Sequence, residues 1–147
     1  MGAHALLTSP SHRRAFGWPH VYYTFLSNVF ARGVQDVVAP FPISSLQGAH
    51  VLNHYGLMAD AIFIDASHEE QPALADMRAY WPLLAPGGIL FGDDYRPRSW
   101  PGVARAVDRF AADIRVVKHV HDSTWFIRKA PLAEDTGALG RVAARGR

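Results

Sequence analysis

The stretch AIFIDASHEE, residues 61–70, decides how this chain folds. A short apolar run ends in Asp65, and His68 follows three residues later. The run shows no alternation of polar and apolar residues, so it reads as a strand covered on both faces, as in the middle of a parallel sheet. GILFGDD, residues 88–94, repeats the pattern and ends in Asp93 and Asp94. Two buried strands that each finish in acid place carboxylates at the carboxyl edge of an open sheet, where α/β proteins bind ligands.

The segments around these strands complete an α/β pattern. Tyr22, Leu26 and Val29 recur at helical spacing before Gly33, and VQDVVAPF, 34–41, reads as a strand closed by Pro40 and Pro42. Ser44 or Ser45 caps a helix running to about Tyr55, with Gly56 beyond it. The next helix is expected to begin near 70–72, with Pro72 in its first turn, and to bury Leu74, Met77, Trp81 and Leu84. APGG, 85–88, signals a turn, and Pro101 opens a helix with Val103, Ala106, Val107 and Phe110 on one face. IRVVKHV and STWFIRK, about 114–120 and 123–129, pair as a hairpin through His121 and Asp122. The expected fold class is therefore α/β, with a mainly parallel sheet and a C-terminal antiparallel hairpin. The expected organisation is a loose segment over 1–19, one domain over 20–130 and a mobile tail over 131–147.

Composition excludes several classes of function. There is no cysteine, which removes disulfides, thiolate metal sites and cysteine nucleophiles and fits a cytoplasmic setting. No apolar run reaches the ~20 residues of a membrane span, and no secretory signal opens the chain. The net charge is +2, but the excess sits at the ends, leaving residues 21–130 at −1. A nucleic-acid surface would need a basic patch on the folded body, so neither nucleic acid nor membrane is an expected partner.

The acids themselves admit two readings. Asp65 can cap a helix while Asp93 and Asp94 form a polar turn. Alternatively the three carboxylates converge, and their mutual repulsion calls for a hard cation, Mg²⁺ first. His68 is either a solvated first-turn residue or a base for a hydroxyl held nearby. His50 and His54 lie four apart on a helix without a HExxH pattern, and His119 and His121 alternate on a strand; both pairs read as exposed. Arg96 and Arg98 read as solvated loop residues. No phosphate loop and no nucleophile elbow is present.

IFIDASHEE, WPLLAPGGILFGDDY, WPGVARAVDRF and FLSNVFARGVQDVV together resemble the class I S-adenosylmethionine-dependent methyltransferases, in the small-molecule, metal-dependent O-methyltransferase branch with an Asp-x-x-His loop and a Gly-Asp-Asp strand end. The resemblance covers about 22–129. It implies a Rossmann-like three-layer sandwich, Asp65, Asp93 and Asp94 as ligands of Mg²⁺ or a similar ion, and His68 as the base for a small-molecule hydroxyl. It further implies Pro42, Ile43, Ser44 and Asp65 as cofactor contacts and Tyr95 and Trp100 as substrate contacts. Asp65 and Asp93 lie 28 residues apart, similar to the acid pair of catechol-type enzymes.

The same resemblance sets limits. The family's first strand leads into a Gly-x-Gly loop, and this chain has none among its 12 glycines. The sequence thus resembles strands three to seven of the sheet order 3-2-1-4-5-7-6, a domain truncated at its N-terminus. Binding of S-adenosylmethionine by this chain alone is expected to be weak or absent. Strands 34–41 and 61–65 would expose edges that pair with each other, self-associate or meet a partner chain. Two other functions stay open: a non-catalytic remnant or subunit needing a partner, and a metal-dependent hydroxylase-like or hydrolase-like protein, since some cephalosporin hydroxylases share this architecture.

Overall fold

The computed structural model describes residues 14–15 and 18–132, with side chains from residue 21 onward. Most of the expected loose segment and of the expected tail lies outside the described residues. The chain forms two compact units, Met1–Pro42 and Ile43–Arg147.

In the first unit, β1 (Arg14–Ala15) pairs antiparallel with β2 (Trp18–Pro19), and α1 spans His20–Ala31. Gly33, at φ +66°, ends α1 as the sequence predicts. The Val34 amide returns to the Val29 carbonyl at 3.2 Å and the Gly33 amide to that of Phe30 at 3.0 Å, a Schellman closure. The strand expected over 34–41 does not form. The Val37 and Val38 amides instead donate to the Val34 carbonyl at 3.1 and 3.0 Å, and Val37 is 82% exposed. A strand needs a neighbour for its backbone groups. None among the described residues is paired with this segment, and Pro40 withdraws one donor.

The second unit holds α2 (Ser45–His54), β3 (Ala59–Ile64), α3 (Glu70–Tyr80), a 3₁₀ turn (Trp81–Leu83), β4 (Leu84–Gly92), α4 (Pro101–Asp113), β5 (Lys118–His121) and β6 (Thr124–Arg128). The sheet order is β3-β4-β6-β5, with β3 and β4 parallel and the other two ladders antiparallel. This is the 4-5-7-6 half of the order given above, so the α/β, Rossmann-like class stands. The sheet is mixed rather than mainly parallel, because 34–41 adds no strand and β3 keeps an open outer edge among the described residues. The APGG signal is absorbed into β4. Ala59 pairs with Leu84 and Ala61 with Ile89, so the extra β4 residues bulge at Gly87, φ +80°.

The core lies between α3, α4 and one sheet face. Leu74, Met77, Val107, Phe110, Leu90, Trp125 and Ile127 are fully enclosed there. Each such side chain contributes about 1.5–3 kcal/mol of burial. The opposite face carries one row in register, Phe63, Phe91, Phe126 and His119. Phe63 is 52% exposed. The elements of this unit therefore make two layers, and the third layer of the expected sandwich is not among them.

Candidate functional site

Ile64 pairs with Gly92 across β3 and β4, so Asp65 and Asp93 leave the sheet side by side. Gly92 is what allows this. A Cβ there would collide with the Ile64 carbonyl oxygen and sit 2.7 Å from Cζ2 of Trp125. Asp65, His68, Asp93 and Asp94 line one cleft, floored by Ile64 and Trp125. Acids distant in sequence thus meet at the carboxyl edge.

Asp93 has one side-chain oxygen, Oδ1, buried without a hydrogen-bond partner. Its carboxyl is held below the ordinary range, first by the Ser123 hydroxyl and then by the Asp94 amide, which together outweigh burial. Asp94 adopts φ +62°, a left-handed conformation that acids tolerate better than most residues. Its Oδ2 lies 2.7 Å from Nε2 of His68. The His68 ring stacks on Trp100 with centroids 4.1 Å apart and planes 19° from parallel.

Two contacts lock the loops that carry these groups. A Cβ on Gly102 would meet the His68 carbonyl oxygen and lie 2.8 Å from the Glu70 amide nitrogen, so α4 begins directly against the 68–70 backbone. Arg105 Nε then donates to Glu70 Oε2 at 2.6 Å.

The other expected residues have contacts of their own. Tyr95 packs against the core. Its hydroxyl donates to Asp108 Oδ1 at 2.9 Å and accepts from Lys118 Nζ at 2.7 Å. Ser44 is the N-cap of α2, accepting from the Gln47 amide at 3.4 Å. Pro42 closes the first unit and Ile43 opens the second. Arg96 Nη2 donates to Ser123 Oγ at 3.2 Å and so braces the loop after β4. Among the described residues no group of three or more His, Cys, Asp or Glu is arranged to hold a metal ion, and the His50–His54 and His119–His121 pairs make no such site. Asp65, Asp93 and Asp94 bring carboxylates to the same cleft. All are hard oxygens, and the partnerless Asp93 Oδ1 fits a cation, because a buried acceptor without a donor costs about 1–3 kcal/mol.

Sequence reasoning missed Asp76. It is 5% exposed and accepts from Ser45 Oγ at 2.6 Å, while the Tyr80 hydroxyl donates to the Ser45 carbonyl at 2.9 Å. Burial first, and Asp76 second, push the Tyr80 hydroxyl up. These three residues join α2 to α3 and border a cavity of about 210 Å³ beside β3, which Asp65 also lines. The signal was an acid on the stripe Ala73, Asp76, Met77, Tyr80.

A methyltransferase domain family matches residues 8–95, and the chain belongs to that family. An uncharacterised protein of Acanthamoeba polyphaga mimivirus is 38% identical over 61 residues, which are 41% of this chain and 28% of that protein. Among solved structures, the apo TDP-rhamnose 3'-O-methyltransferase of calicheamicin biosynthesis aligns at TM-score 0.56 and 18% identity, over 77% of this chain and 53% of that one. An O-methyltransferase from Bacillus cereus, in complex with SAH, aligns at 0.52 and 21%, over 69% and 54%. The mycinamycin methyltransferase MycE, in complex with Mg, SAH and mycinamycin VI, aligns at 0.53 and 16%, over 88% and 44%. At these identities the likeness is one of fold. The chain spans about half the length of the solved structures it matches. No helix among the described residues is long and apolar enough to cross a membrane.

Proposed function

We propose that this chain carries the acceptor side of an S-adenosylmethionine-dependent O-methyltransferase acting on a hydroxyl of a small molecule. The observation that carries the reading is the common cleft of Asp65, His68, Asp93 and Asp94 at the ends of two adjacent parallel strands. Asp65 and Asp93 would hold Mg²⁺ or a similar ion, with the second oxygen of Asp94 beside them. Such an ion, when bound, lowers the pKa of a hydroxyl and fixes its oxygen. S-adenosylmethionine, when bound, supplies an electrophilic methyl group, and Asp65, Ile43 and Ser44 are the residues this unit offers it. His68 takes the acceptor's proton. Its ring is held by Asp94 and Trp100, so catalysis by this chain is mainly orientation and proton removal.

The open edge of β3 favours a second reading, in which the chain works only with a partner that adds a strand there. Calorimetry with S-adenosylmethionine in Mg²⁺ buffer, at protein concentrations high enough for weak binding, separates the two. Binding that is lost in Asp65→Ala supports the first reading. Absence of heat for the wild-type chain overturns it in favour of the second.

A further inference from the structure

Asp76 is an acid whose second oxygen the folded unit leaves unanswered. The residue is 5% exposed, and aspartate is seldom so enclosed unless it is paired. Its Oδ1 accepts from Ser45 Oγ at 2.6 Å. Among the described residues its Oδ2 has no hydrogen-bond partner, and no Lys, Arg or His forms an ion pair with it. The side-chain polar atoms sealed away without a partner are Asp93 Oδ1 and Trp125 Nε1 among those residues, so Asp76 Oδ2 is open to the cavity that the residue borders. The amino end of α2 sets partial positive charge nearby, but the bond it supplies goes to Oδ1.

The polar side chains around this cavity of about 210 Å³ are all acceptors. Ser45 gives its hydroxyl hydrogen to Asp76, and Tyr80 gives its own to the Ser45 carbonyl at 2.9 Å. A hydroxyl has one hydrogen, so toward anything else both oxygens can only accept. Asp65 adds a second carboxylate, while Ile62 and Ile64 supply an apolar wall. Such a lining repels an anion and gives a neutral acceptor nothing to bind. A bare metal ion does not suit it either. Among the described residues no three His, Cys, Asp or Glu converge, and hard ions want six or more oxygens. An ammonium group brings both the missing charge and three hydrogens to donate. The space sets the size of its owner: a cavity of ~150 Å³ holds benzene, so this one suits a single ring or a short chain.

We infer that the cavity between α2, α3 and β3 is a binding site for a small protonated primary amine. The ammonium group donates to Asp76 Oδ2 and to the Tyr80 hydroxyl oxygen, and the hydrocarbon body lies on Ile62 and Ile64. A charge-assisted bond is about twice as strong as a neutral one, so Asp76 supplies most of the affinity. The inference does not depend on the methyl-transfer reading. The cavity has Asp65 in common with the cleft, but His68, Asp93 and Asp94 line the cleft alone.

The probe is benzylamine, with benzyl alcohol as its uncharged counterpart of nearly the same shape. Each is titrated at neutral pH into the full ¹⁵N-labelled chain, and amide ¹H–¹⁵N spectra are recorded. Benzylamine should give saturable shifts at the amides of residues 62–66, 76 and 80. Benzyl alcohol should bind about tenfold more weakly or worse. Asp76→Asn, which can still accept from Ser45 but has no charge, should lower the benzylamine affinity by about tenfold. Tyr80→Phe, which removes one acceptor, should lower it about threefold and carries the test if Asp76→Asn does not fold. Asp122→Asn, at the exposed turn before β6, should leave it unchanged. Equal affinity for amine and alcohol overturns the proposal. So does an affinity that neither cavity variant lowers, one that Asp122→Asn lowers as much, or the absence of saturable shifts at these amides.

Discussion

The Trp100 ring lies flat on that of His68, 4.1 Å away between centroids, although 31 residues separate them in the chain. The stack joins the loop after β3, whose His68 lines the cleft, to the start of α4. Trp100→Ala should lower stability by about 1 kcal/mol, the usual worth of an aromatic pair beyond its buried area. Trp100→Phe should recover most of it. Urea unfolding of the three proteins checks this, and equal midpoints would show that the stack contributes nothing.

Gly92 is the point at which the two site strands come together. Gly92→Ala places a methyl group against the Ile64 carbonyl and the Trp125 ring. The backbone oxygen cannot move away as a flexible side chain would, so a loss of about 3 kcal/mol is expected. A variant that unfolds at the wild-type denaturant midpoint would contradict this packing.

Gly102 separates the stability of the site loops from that of the core. Gly102→Ala should push α4 off the 68–70 backbone. A destabilisation of about 1–3 kcal/mol is expected, together with faster amide exchange at residues 68–70. Unchanged exchange there would remove the contact as a clamp.

Arg115 closes α4 at φ +56°, with the Val116 amide returning to the Ala111 carbonyl at 3.0 Å. Gly33 and Gly56 occupy the same left-handed closure after α1 and α2. Arg115→Gly should therefore stabilise the chain by up to about 1 kcal/mol, because glycine carries no Cβ penalty there. A thermal melt with a lowered midpoint would refute this.

Lys118 supplies the pH dependence. Burial lowers its pKa, but its bonds to Asp108 and Tyr95 outweigh that and leave it raised above 10.5. A raised folded pKa stabilises fully below the unfolded value of about 10.4 and loses that contribution as pH climbs through the folded value. Lys118→Met should be less stable than wild type from neutrality to about pH 10, with the gap closing above it. A gap that widens at alkaline pH would reverse the sign.

Local rules settled most of the elements. Periodicity marked α3 and α4, Gly33 and Gly56 marked helix ends, and the C-terminal hairpin was legible, although its turn falls at Asp122–Ser123 and not at His121–Asp122. These features depend on a few neighbouring residues, so the chain by itself determined them, along with the strand-end acids. The apolar run of 34–41 has the pattern of a strand but meets no partner strand among the described residues, a fact that no window of sequence contains. The roles within the site were also beyond the sequence. Asp93 and Asp94 are adjacent and chemically identical, yet one buries a partnerless oxygen and the other binds His68. Tyr95 and Trp100 are both loop aromatics, yet one is tied to Asp108 and the other lies on the His68 ring. Only tertiary structure decided these, because hydrogen-bond partners and ring contacts come from strand register, a left-handed turn and the close approach of α4, which bring together residues 13 to 32 positions apart.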